Sequence, residues 1–147
     1  MPNWKKLITS GSDANLSSLS IQNTTTDDSL LLRSDHNSST AAPVITLKRN
    51  SNSPAAGDYL GQIKFKGEND ADQEVVYAKV TGKISDDTDG TEDGLIEFAN
   101  VKAGSNTITA RLKSDKFQLL NGTDLEVDGG SISGSTYYGD GDRKSVV

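Results

Sequence analysis

The chain is 147 residues long and carries 15 Lys and Arg against 21 Asp and Glu, a net charge of −6. Cations scattered through so acidic a chain argue against a nucleic-acid binder, which needs a basic face. There is no cysteine, which excludes a disulfide framework, a thiolate zinc site and a Cys nucleophile. The length points to one domain or one slender module.

Apolar side chains are scarce. Hydrophobic residues make up 33% of the chain, and Leu, Ile, Val and Phe together number 32, not far above the roughly 20% below which chains tend to be disordered. A compact monomer of this size needs more apolar bulk to fill its interior. Either part of the chain is disordered, or its apolar stripes are buried against copies of itself. No apolar run approaches 18 residues, so nothing is expected to insert in a membrane. The start, Met1-Pro2-Asn3-Trp4-Lys5-Lys6-Leu7-Ile8, lacks the roughly 7–15 apolar residues of a secretory leader, so the protein is expected to start in a cytoplasm, from which assembly can carry it elsewhere.

Residues 1–28 are rich in Ser, Asn, Thr and Asp and carry isolated apolar residues, Trp4, Leu7, Ile8, Leu16, Leu19 and Ile21. From residue 29 the period becomes two. Leu30-Leu31-Leu32 is a short run, and Val44 to Arg49 alternates with Ile45 and Leu47 inward. Tyr59 to Lys66 puts Ile63 and Phe65 on one face and Lys64 and Lys66 on the other. Glu74 to Ser85 is the longest strand signal, with Val76, Ala78, Val80 and Ile84 sharing a face. Leu95 to Ala99 follows the acidic connection Asp86 to Gly94. Thr107 to Lys113, with Ile108, Ala110 and Leu112 inward, follows a turn around Gly104. Phe117 to Leu120 and Leu125 to Val127 flank a turn at Asn121-Gly122. Seven or eight short strands and no helix predict an all-β fold. The organisation expected is an N-terminal segment 1–28, a β-rich module 29–127 and a Gly-rich tail 128–147.

Strands this short, with one good apolar face each, do not cover themselves. Copies wound about a common axis would share an interior and remove exposed sheet edges. The fold expected is therefore elongated, of short antiparallel strands interleaved in a homotrimer.

The chemistry-bearing residues point to no reaction. His36 is the single histidine, with no nucleophile-elbow sequence to serve, and reads as an exposed loop residue. Asp86-Asp87-Thr88-Asp89-Gly90 resembles an oxygen-ligand loop, but its register does not match the calcium-loop pattern, and solvated turns explain it more simply. Glu68, Asp70, Asp72 and Glu74 alternate and would line one face if they formed a strand. Asn23, Asn37 and Asn121 begin chance matches to the glycosylation triplet. No enzyme, metal or cofactor is expected.

Three stretches carry a family resemblance: Pro43 to Asn69 around Leu60-Gly61-Gln62-Ile63-Lys64-Phe65, Val76 to Asp86 around Tyr77-Ala78-Lys79-Val80-Thr81-Gly82-Lys83-Ile84, and Asp89 to Phe98. In this order they resemble the repeated shaft segment of tailed-phage fibre and tail-spike-like proteins, especially those of marine cyanophages. The opening Asn3 to Ser12 resembles the start of such virion proteins. The resemblance implies a non-enzymatic structural component of the virion, assembled in the host cytoplasm as a homotrimeric β-rich fibre or spike and docked on other tail or capsid proteins. It implies attachment through the N-terminus, here Trp4, Lys5, Lys6, Leu7 and Ile8. The chain stops without a receptor-binding tip or self-cleaving chaperone domain of the family's kind, which leaves open a capsid-surface protrusion or decoration. A further alternative is an adhesin in which Tyr137 and Tyr138 contact a host surface glycan.

Overall fold

The computed structural model describes residues 16–130. The chain divides between residues 45 and 46 into two units. In the first, residues 16–45 form neither helix nor strand, and every one of them is exposed. Local polar contacts organise it: Asn23 Nδ2 donates to the Asp27 carbonyl (2.9 Å), and the Arg33 guanidinium pairs with Asp35 (2.8 Å). The expected run at Leu30-Leu31-Leu32 belongs to no ladder, and its side chains face solvent.

The second unit is built on one antiparallel sheet of five strands in sequence order: β1 (Tyr59–Glu68), β2 (Glu74–Asp86), β3 (Asp93–Lys102), β4 (Ser105–Lys113) and β5 (Phe117–Leu119). The fold is all-β, and the described residues contain no helix. Each strand pairs with the next in sequence, so the polar connections can be short. The tightest joins β3 to β4, where Lys102 opposes Ser105 and Ala103 and Gly104 both take positive φ (48° and 79°). That is the two-residue hairpin turn whose twist matches the strands it joins. The β1–β2 turn is held by Asn69, whose Oδ1 accepts from the amides of Ala71 (3.1 Å) and Gln73 (2.9 Å). Glu68, Asp70, Asp72 and Glu74 therefore straddle a turn instead of lining one face of a strand.

Four register shifts interrupt simple alternation, and two of them move an apolar residue to the other face. Tyr77 is an extra residue opposite the Phe65–Lys66 step, so Val76 opposes Lys66 and leaves the face of Ala78 and Val80. Thr109 is extra opposite Phe98–Ala99, so Ile108 opposes Ala99 and leaves the face of Ala110 and Leu112. The other two lie between Tyr59 and Gly61 and between Ile84 and Asp86.

Two other alternating stretches are not strands. Thr46 to Arg49 joins no ladder because side chains, not backbone bonds, tether it. Leu47 sits so close to Gly61 that a Cβ there would lie 2.7 Å from the Leu47 Cβ. Arg49 pairs with Asp58 (3.2 Å) and donates to the Tyr59 carbonyl (3.4 Å). Val44 and Ile45, in the first unit, are likewise outside any strand. Leu125 to Val127 lacks a hydrogen-bonded neighbour. Before it, Asn121 and Gly122 turn the chain with positive φ, and Asn121 Nδ2 donates to the Ile108 carbonyl (2.7 Å), closing part of the β4 edge.

Candidate functional site

The ladder register sorts the side chains of the sheet onto two faces, because residues opposite one another project to the same side. One face carries the rows Gly61–Gly82–Ile96–Leu112–Phe117 and Ile63–Val80–Phe98–Ala110–Leu119, with Phe65 and Ala78 beside them. The two full rows are wholly apolar, and the row beside them, Phe65–Ala78–Asn100–Thr107, ends in two polar residues. The other carries Gln62–Thr81–Glu97–Arg111–Gln118, flanked by Tyr59–Lys83–Leu95–Lys113 on one side and Lys64–Lys79–Ala99–Ile108 on the other.

Burial runs opposite to what a finished domain shows. On the polar face Thr81 is 2% exposed and Glu97 4%, whereas on the apolar face Phe65 is 56% exposed and Phe117 58%. Ile63, Ile96, Phe98 and Leu112 are exposed as well. Among the described residues only Ala99 and Ala110 are buried apolar side chains. A sheet with one apolar face reaches stability by covering that face with a second layer. Within the second unit no described residue supplies one, beyond the reach of Leu47 into the notch at Gly61. Gly82, opposite Gly61, has open space above it, and a shallow hollow of about 440 Å³ there is lined by Leu60, Ile96 and Leu112.

The polar face is closed on itself at its centre. Glu97 accepts from Arg111 Nε (2.7 Å) and pairs with Lys83 Nζ (3.6 Å). Gln62 Nε2 donates to Thr81 Oγ1 (3.1 Å), and Lys83 lies 4.6 Å from the centre of the Tyr59 ring, a cation–π contact. No buried side-chain polar atom among the described residues lacks a partner. The hairpin and its bulge explain the centre: a turn at Ala103-Gly104 folds β3 onto β4, and the extra residue Thr109 shifts the register so that Arg111 stands opposite Glu97. Counting outward from the turn would set Glu97 opposite Ala110, so the pairing was not legible in the sequence: the extra residue Thr109 decides it.

The residues with chemical potential lie apart from one another. His36 is exposed, and its Nδ1 accepts from the Ser38 amide (3.2 Å). Asp86 accepts from the Thr88 amide (2.9 Å); the Thr88 hydroxyl and amide hold its carboxyl below the ordinary aspartate value. The acidic loop between β2 and β3 thus carries five carboxylates, Asp86, Asp87, Asp89, Glu92 and Asp93, and none is in an ion pair among the described residues. No three His, Asp or Glu side chains among the described residues converge as metal ligands. Trp4, Lys5, Lys6, Leu7 and Ile8, and the pair Tyr137 and Tyr138, lie outside the described residues. Comparison of the chain with protein-family models, with curated proteins and with solved structures finds no match.

Proposed function

We propose that the chain is a non-enzymatic structural component of a tailed-phage virion: a short, fibre- or spike-like homotrimer in which the open apolar sheet face of each copy is covered by its sisters. The observation that carries this reading is the inverted burial of the sheet, with Thr81 and Glu97 enclosed while Phe65, Phe98 and Phe117 meet solvent. Burying a Phe, Leu or Ile that now faces water is worth about 1.5–3 kcal/mol per side chain. Six such residues on one face, Ile63, Phe65, Ile96, Phe98, Leu112 and Phe117, make self-association the natural way to finish the fold. The shaft-like order of segments from Pro43 to Phe98 and the virion-like opening at Asn3 to Ser12 support a place in the particle. The segment Trp4 to Ile8 is the attachment point in this reading, since Trp is favoured at interaction hot spots.

Purified particles are the direct test. A tagged chain is expected to copurify with intact virions, and Trp4→Ala is expected to lower its occupancy without altering its assembly in solution. A chain absent from particles would contradict the virion role. Normal occupancy of the Trp4→Ala chain would contradict the attachment assignment.

A further inference from the structure

The composition hides a separation of charge. Over the middle of the polar face stand Lys64, Lys79, Lys83, Arg111 and Lys113 with one carboxylate, Glu97, while Lys66, Glu68 and Glu74 lie at the β1–β2 end of the same face, where Lys66 pairs with Glu74. Glu97 is already taken up by Lys83 and Arg111. Among the described residues Lys64, Lys79 and Lys113 form no ion pair. Lys64 and Lys79 are direct cross-strand partners, a like-charge pairing that costs stability in an isolated sheet.

The carboxylates gather at the strand ends. The β2–β3 loop places Asp86, Asp87, Asp89, Glu92 and Asp93 within eight residues, and Asp86 and Asp93 are themselves cross-strand partners. The single chain therefore holds two unrelieved like-charge pairs, one positive and one negative. They lie on different parts of the sheet, so one chain does not bring them together through its own ladder.

We infer that the acidic β2–β3 loop of one copy docks on the lysine-bearing polar face of the next copy, around Lys64, Lys79 and Lys113. This rests on the proposed self-association and adds a second contact to it. The apolar face supplies affinity, and the charged contact fixes which neighbour is met and in what orientation. Because loop and face are different surfaces, the contact is head-to-tail, and such contacts close into a ring when the rotation between copies allows it. The chain supplies both halves of the match, a loop of five carboxylates and three lysines without an ion partner among the described residues. An extended polyanion, nucleic acid included, fits less well, because it would run from the lysines into the acidic loops at the strand ends and be repelled there.

Charge reversal within the full chain tests this, with mass read by sedimentation equilibrium at low and high salt. Wild type is expected to dissociate more readily in about 0.5 M than in about 0.05 M NaCl, because added salt screens the charged contact. Lys64→Glu with Lys79→Glu, and separately Asp87→Lys with Asp89→Lys, should each raise the dissociation constant about tenfold or more. All four changes in one chain should restore wild-type assembly, which also shows that the reversed residues do not impair folding. An assembly unaffected by either reversal overturns the loop-to-face contact while leaving sealing of the apolar face intact. Loss on reversing the face but not the loop also overturns it, and assigns the lysines to another anionic partner. A wild-type chain that is single at every salt concentration sinks the self-association reading itself.

Discussion

Phe98→Asp is expected to break the assembly into single chains while leaving most of the strand signal in place. Phe98 lies in the middle of the apolar face, opposite Val80 on one side and Ala110 on the other. In one copy it is already 38% exposed, so a carboxylate there can reach water and the ladder around it need not change. In the assembly the same carboxylate would be enclosed by apolar side chains, where an unpaired charge is far more costly than a lost contact. Loss of the Phe burial with part of that desolvation cost amounts to about 4 kcal/mol or more per chain, roughly a thousandfold in association. Sedimentation would show the mass fall towards 15.6 kDa, and far-UV circular dichroism would show β-structure retained. Melting should broaden and move to lower temperature, because the released sheet keeps its apolar face in water. An unchanged mass would place the association elsewhere.

The second large effect belongs to the other face and to the fold of the single chain. Glu97→Leu removes the one carboxylate that neutralises both Arg111 and Lys83. The Glu97 side chain is 5% exposed and that of Arg111 33%, so the arginine can turn partly to water and the loss is smaller than for a fully enclosed pair. We expect about 2–3 kcal/mol of destabilisation, seen as a fall in Tm of roughly 10 °C for a sheet unit of this size. Glu97→Leu with Arg111→Leu should recover much of that loss, because apolar side chains can replace a buried pair with little net cost. If the single variant melts with wild type, the Glu97 pairs contribute nothing to the sheet.

These two variants separate two kinds of information that the amino-acid sequence carries unequally. Alternation was legible where both faces of a strand are well marked, as in Ile63 to Lys66 and Val80 to Ile84, and there the strands form where the period of two predicts them. The turn at Gly104 was also legible, since few residues other than glycine take its φ of 79° without strain. The bulges were not. Tyr77 and Thr109 have nothing in their residue type that marks them as extra, yet each moves a neighbouring apolar residue, Val76 or Ile108, to the opposite face. Val44 to Arg49 and Leu125 to Val127 show the converse: alternation is necessary for a strand but a hydrogen-bonded neighbour decides it. The candidate site was legible as a shortage of apolar bulk, while its location was not. Only the register shows that the lysines of β1, β2 and β4 gather on one face and the phenylalanines on the other, because a net charge of −6 says nothing about where each sign stands.

The absence of cysteine makes one measurement especially clean. Single thiols placed by Ile96→Cys on the apolar face and Ala71→Cys in the exposed β1–β2 turn, outside both proposed contacts, can be labelled separately with a maleimide in the folded full-length chain. Covering by sister copies predicts that the thiol at position 96 stays unreactive until the protein is unfolded, while the one at position 71 reacts at once. Equal and immediate labelling of both, in a chain that still melts cooperatively, would mean that the apolar face lies open in the native protein.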